Sequence, residues 1–150
     1  MAAKRWRVFL DTSVLIAGII SRTGAAREVM RLCEAGGVEV FMSRQVLVEA
    51  DRNITEKLPD LASDYRHLMR QMAPVLLDDP SRKEVAQAER LIHSKDAPIL
   101  AAAIKGQVDC LITWNTRHFH KPSVIKAVRL KIMTPGDFLE EFRRSLPDES

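Results

Sequence analysis

Aromatic side chains are scarce in this chain of 150 residues, making up 5% of the total. A base-stacking sheet of the RNA-recognition type needs exposed aromatics, so a nucleic acid handled here is expected to be met mainly through its backbone. Cysteine is scarcer still. Cys33 and Cys110 stand far apart in apolar surroundings, which excludes a disulfide framework and a cysteine zinc module and fits buried thiols in a reducing cytoplasm. No run of about 20 apolar residues is present to cross a bilayer. The basic start, Met1 to Arg7, leads into no signal-type apolar segment, because Asp11 interrupts directly after Leu10. Glycine-rich phosphate loops are missing, which removes dinucleotide and P-loop binding. Charge of one sign is also lacking: 23 Lys and Arg against 20 Asp and Glu leave +3. That total names no polyanionic partner by itself.

What is present suits one globular domain over residues 1–150, with a core from about 8 to 142 and a polar tail at 146–150. At this length roughly 70% of the unfolded chain's surface can be buried without staples. Val8 to Leu10 reads as a strand ending at Asp11, with a helix from Val14 to Ile20. A helical pattern opened by Gly24 runs to Ala35 and is stopped by Gly36-Gly37. Val38 to Met42 is a second strand, and Ser43 caps a helix running toward Lys57. Leu61 to Met72 is helical, Val75 to Leu77 a third strand, and Ser81 to His93 helical again. Pro98 suits a first helical turn, so an apolar helix starts near Asp96 and runs to Lys105. Cys110 to Thr113 is a fourth strand, Arg129 to Met133 a fifth, and Pro135 to Ser145 a closing helix. This alternation predicts an α/β fold with a mainly parallel sheet of about five strands covered on both faces. In such sheets ligands bind beyond the strands' carboxyl ends, where the strand order switches.

Four polar positions fall at those ends. Asp11 closes the first strand, Glu49 lies two turns into the helix after the second, Asp96 opens the apolar helix, and Asn115 follows the fourth strand. On a helical wheel Val46, Leu47, Ala50, Ile54 and Leu58 share a face with Glu49 at its edge. Each position also has a plain structural role: a turn or cap for Asp11, an N-cap for Asp96, a solvated glutamate for Glu49. Carboxylates gathered at one edge repel unless a cation lies between them, and all-oxygen clusters select Mg²⁺ or Mn²⁺.

The segments Phe9 to Leu15, Ser43 to Glu49, Lys95 to Ala103 and Leu111 to Phe119 resemble the successive motifs of PIN-domain nucleases, whose best-known branch is the VapC-like toxins of toxin–antitoxin pairs. The resemblance runs from about Val8 to Phe142. It implies a three-layer α/β/α domain and a Mg²⁺- or Mn²⁺-dependent endoribonuclease, with homodimers and an antitoxin as partners. By motif position Asp11, Glu49 and Asp96 are the implied catalytic and metal-binding acids, and Thr12, Ser13 and Thr113 the supporting or substrate-contacting hydroxyls. Asn115 stands at the family's fourth acidic position, where its amide oxygen can coordinate but brings no charge. Relatives with Asn there can carry an acid three residues on; here that residue is His118. A PIN domain reduced to holding RNA or a protein partner is the alternative this departure raises. Asp109, at the amino end of the fourth strand, is expected on the opposite edge in a structural role.

From Asn115 to Lys131 the only charges are Arg117, Lys121, Lys126, Arg129 and Lys131, a local +5. A track for backbone phosphates is one reading and a solvated loop with an edge strand the other. Arg117, His118 and Lys121, nearest Asn115, are the candidate RNA contacts. Trp114 suits stacking or packing equally. His118 and His120 lack zinc-finger spacing, and His67 and His93 read as helix-surface residues. A phosphatase of the haloacid-dehalogenase type also begins with a strand ending in Asp, but needs a second Asp where Ser13 stands. A phospho-receiver domain needs an acidic pair and an acceptor Asp after the third strand, neither convincing here.

Overall fold

A computed structural model describes residues 5–147. The residues before Arg5 in the basic start, and the last three of the polar tail, lie outside them. Five strands form one sheet, β1 (Trp6–Leu10), β2 (Val38–Met42), β3 (Val75–Leu76), β4 (Cys110–Ile112) and β5 (Lys131–Met133). Their order is β3-β2-β1-β4-β5 and every pairing is parallel. Val8 is the pivot of the register, opposite Val40 on one side and Cys110 on the other. A strand covered on both faces has no polar side to show, and Val8, Phe9 and Leu10 are fully buried.

Nine helices flank the sheet among the described residues, giving the expected α/β/α arrangement: α1 (Thr12–Ile20), α2 (Ala25–Glu34), α3 (Arg44–Lys57), α4 (Ala62–Met72), α5 (Arg82–Glu89), α6 (Ala97–Lys105), α7 (Thr116–Phe119), α8 (Pro122–Ile125) and α9 (Pro135–Ser145). Gly18 lets α1 and α2 close together, because a Cβ there would lie 2.2 Å from the Met30 sulfur. Gly36, at φ +78°, turns the chain out of α2 in a conformation other residues resist. Ser43 caps α3 by accepting the Val46 amide at 3.3 Å. Cys33 and Cys110 are free and buried, as their surroundings predicted. No described helix is long and apolar enough to cross a membrane.

Two expectations need correction. The helical stretch expected to reach His93 ends at Glu89, where the Ala88 carbonyl takes the amides of Leu91 and Ile92 and the chain turns. The basic segment after Asn115 is not a plain loop: it folds into α7, anchored by fully buried Phe119, and α8, opened by Pro122 at its first turn. Four-residue helices are too short to show a hydrophobic period.

Candidate active site

The strand order reverses at β1: the chain moves outward to β2 and β3, then returns to place β4 on β1's other side. The crevice between the carboxyl ends of β1 and β4 is the switch point of this sheet. The Asp11 amide donates to the Ile112 carbonyl at 3.1 Å, so the β1–β4 ladder itself fixes where this residue sits.

Asp11 is buried and every hydrogen bond to its carboxylate comes from a neutral group. Oδ1 accepts the Thr12 amide at 2.8 Å, while Oδ2 accepts the Ser13 hydroxyl at 2.9 Å and the Thr113 hydroxyl at 2.7 Å. Burial raises the acid above its ordinary range, and the nearby Glu49 charge adds to this, while the bonds from Thr113, Ser13 and Thr12 pull the other way. Glu49 is tied to the same place through Thr12, whose hydroxyl donates to Oε2 at 3.1 Å. Its other oxygen accepts Gln45 Nε2 at 3.1 Å. Sequence reasoning missed Gln45, although a residue four positions back on a helix is the expected neighbour of Glu49.

Asp96 belongs to a second group. Although it opens α6, its side chain caps nothing; Oδ2 lies 2.7 Å from His118 Nδ1. Asn115 joins the two groups, its amide nitrogen 3.3 Å from the same His118 atom and its backbone N–H donating to the Thr113 hydroxyl at 2.9 Å. A continuous chain of polar contacts therefore runs Glu49–Thr12–Asp11–Thr113–Asn115–His118–Asp96. The acids are linked rather than converged: among the described residues no three Asp, Glu, His or Cys side chains cluster tightly enough to enclose an ion. Nor does Lys or Arg pair with Asp11, Glu49 or Asp96 among those residues. Asp11 and Glu49, a carboxylate pair flanked by hydroxyls and ion-paired to no Lys or Arg among the described residues, fit a hard divalent ion, since hydrated Mg²⁺ is held by as few as one or two carboxylates.

The +5 segment does not stay together. Arg117 and Lys121 are both exposed, Arg117 in the short helix α7 that directly follows Asn115. Because β5 runs parallel to β4, the chain must return to the amino edge before β5 starts, which carries Lys131 to the far edge of the sheet, where it pairs with Glu141. Arg129 lines a cavity with Asp109 at that same edge. Asp109 is there in the structural role expected, Oδ2 accepting the Arg7 amide at 2.7 Å.

A family model described as PIN domain matches residues 7–117. The chain belongs to the PIN-domain family. All four motif positions lie inside the matched span, whereas Lys121, α8, β5 and α9 lie beyond it. The PIN fold recurs in solved structures. PAE2754 from Pyrobaculum aerophilum is similar at a TM-score of 0.62 and 18% identity, over 93% of this chain and 91% of that one. VapBC2 from Rickettsia felis, solved bound to a DNA fragment from its promoter, gives 0.60 and 17% over 84% and 96%. FitAcB from Neisseria gonorrhoeae gives 0.50 and 15% over 86% and 98%. At such identities the likeness speaks for the fold. No curated protein sequence matches this chain.

Proposed function

We propose that this PIN domain hydrolyses RNA phosphodiester bonds with Mg²⁺ or Mn²⁺, as the toxin half of a cytoplasmic toxin–antitoxin pair that works as a homodimer. The observation that carries the hydrolytic reading is the Asp11–Glu49 pair at the switch point, bonded only by neutral groups. Such a pair costs free energy in the absence of a cation. The toxin reading rests on the motif resemblance to VapC-like toxins, supported by the fold shared with VapBC2.

In this reading Asp11, Glu49 and Asp96 hold the ion, with the Asn115 amide oxygen as a neutral fourth donor. When bound, the cation supplies a water of lowered pKa and offsets charge on the phosphoryl oxygens. Ser13 and Thr113 hold Oδ2 of Asp11 in one orientation, and Thr12 and Gln45 do the same for Glu49. Water attack forms a new P–O bond as the P–O3′ bond breaks, leaving a 5′-phosphate and a 3′-hydroxyl. Arg117, His118 and Lys121 meet the RNA backbone on the β4 side.

Asn115 favours a second reading, a binding-only domain, because its amide faces His118 and adds no charge. Cleavage of single-stranded RNA in Mg²⁺ and Mn²⁺ separates the two. Wild-type cutting that Asp11→Asn abolishes supports hydrolysis. RNA left intact by wild type but cut by Asn115→Asp means the domain only binds. Cutting that survives Asp11→Asn places the activity elsewhere.

A further inference from the structure

The solvent side of α3 holds a group of side chains that the motif positions do not use. Arg44, Val48 and Arg52 recur at intervals of four residues and so stack along one face, with Gln45 and Glu49 beside them. Together with Asp79 they line a cavity of about 410 Å³ whose wall includes Glu49 itself. Arg44 and Arg52 are eight residues apart, about 12 Å along the helix, and Glu49 lies between them.

Neither guanidinium is spent on holding the fold. Arg44 Nε stands 3.7 Å from Asp79 Oδ2, with the two side chains 71% and 61% exposed, a long, solvated pair of little worth. Arg52 has no ion pair among the described residues. The exposed Val48 offers no base-stacking surface. What the groove presents is planar, forked donors suited to phosphate oxygens, running directly into the carboxylate that borders the candidate site.

We propose that this groove is the α3 half of the RNA track. Arg44 and Arg52 take backbone phosphates of a single strand on one side of the scissile bond, while Arg117 and Lys121 take those on the other. This rests on the hydrolytic reading for the identity of the ligand. Phosphates are favoured over an acidic peptide because the groove is continuous with a site suited to a phosphodiester.

The test is metal-free binding of a labelled single-stranded oligoribonucleotide to the full chain carrying Asp11→Asn, followed by fluorescence anisotropy across a salt series. Each phosphate contact contributes about 0.7 to the slope of log K against log salt, or about fivefold between 1 M and 0.1 M. The pair Arg44→Ala and Arg52→Ala is expected to flatten the slope by about 1.4 and to weaken binding about 25-fold at 0.1 M salt. Arg129→Ala with Lys131→Ala, on the far edge, is expected to leave both unchanged. Asp79→Asn, which removes a charge that repels phosphate from the groove, is expected to tighten binding, an outcome that damage to the fold cannot imitate. An unchanged slope in the α3 double variant overturns the proposal. So does an equal loss in the far-edge control, or displacement of the RNA by polyglutamate of equal charge at equal concentration. Binding with the expected slopes, together with no cutting by the chain that keeps Asp11 in Mg²⁺ or Mn²⁺, sinks the hydrolytic reading and leaves the groove standing.

Discussion

Replacing Asp11 by Asn should make the metal-free protein more stable at neutral pH, and adding Mn²⁺ should reverse the order. The folded state raises the Asp11 acid above its ordinary value of 3.8, chiefly by burial. A group of this kind binds its proton more tightly folded than unfolded. Stability therefore falls as pH climbs from the unfolded value through the raised folded one, and stays low above it. Asn keeps the shape: its oxygen accepts the Thr12 amide, and its amide group donates to the hydroxyls of Ser13 and Thr113. The desolvated charge is lost, and so is the acceptor for the two hydroxyl protons, since both hydroxyl oxygens also accept a backbone amide, from Trp114 and Asn115. A substitution of this sort is worth about 0.5–2 kcal/mol, and at about 2–4 °C per kcal/mol for a chain of this length the Asp11→Asn variant should melt about 1–8 °C higher in EDTA. Cation linkage acts on the wild type alone. Mn²⁺ at 100 times its dissociation constant adds about 2.7 kcal/mol, about 5–11 °C, so the wild type should overtake the variant. Calorimetric melts from pH 4 to pH 8, with EDTA and with Mn²⁺, read both effects, and the EDTA difference should shrink toward the acid end. A variant less stable than wild type in EDTA at neutral pH would show that the Asp11 hydrogen bonds outweigh its burial. Equal Mn²⁺ shifts in both proteins would mean that the ion binds without Asp11.

Three further substitutions test the scaffold. Thr113 is fully buried and serves both Asp11 Oδ2 and the Asn115 amide, so Thr113→Val should cost about 1–3 kcal/mol in urea unfolding; a neutral result would mean that water replaces the hydroxyl. Gly18→Ala drives a methyl group toward the Met30 sulfur at 2.2 Å and should cost about 1–3 kcal/mol by the same measurement, unless Met30 swings aside without penalty. Ser43→Ala removes the cap of α3 and should cost about 1 kcal/mol, with Ser43→Asp restoring it; an unchanged urea midpoint would show that the sheet alone fixes the start of this helix.

Ser43 falls where the sequence was most readable. Strand β2 and helices α3 and α9 begin and end as the pattern indicates, because each is bounded by a local chemical signal: the Gly36-Gly37 stop before β2, Ser43 as a cap, Pro135 in a first turn. Asp11 is legible for the same reason, since a strand ending in an acid at the start of a helix needs no long-range information. Glu49 is partly so: the wheel places it at the edge of the buried face, but nothing linear shows that Thr12, 37 positions away, would hold its carboxylate. The partnership of Asp96 with His118, 22 positions apart, is equally invisible before the chain is folded.

Charge is where linear reading failed, and parallel topology is the reason. A segment between two parallel strands starts at the carboxyl edge and must finish at the amino edge, so cations adjacent in sequence between β4 and β5 end on opposite sides of the molecule. Arg117 stays by the crevice while Lys131 leaves it. The same constraint works in reverse for α3, which sets out from the carboxyl end of β2 and so carries its first turns past the crevice. Arg44 and Arg52 have no basic run around them to attract notice, yet the fold delivers them beside Glu49. In a parallel sheet the cations able to serve the switch point are those within a few turns of a strand's carboxyl end. The length of a basic run matters less than its distance from that end.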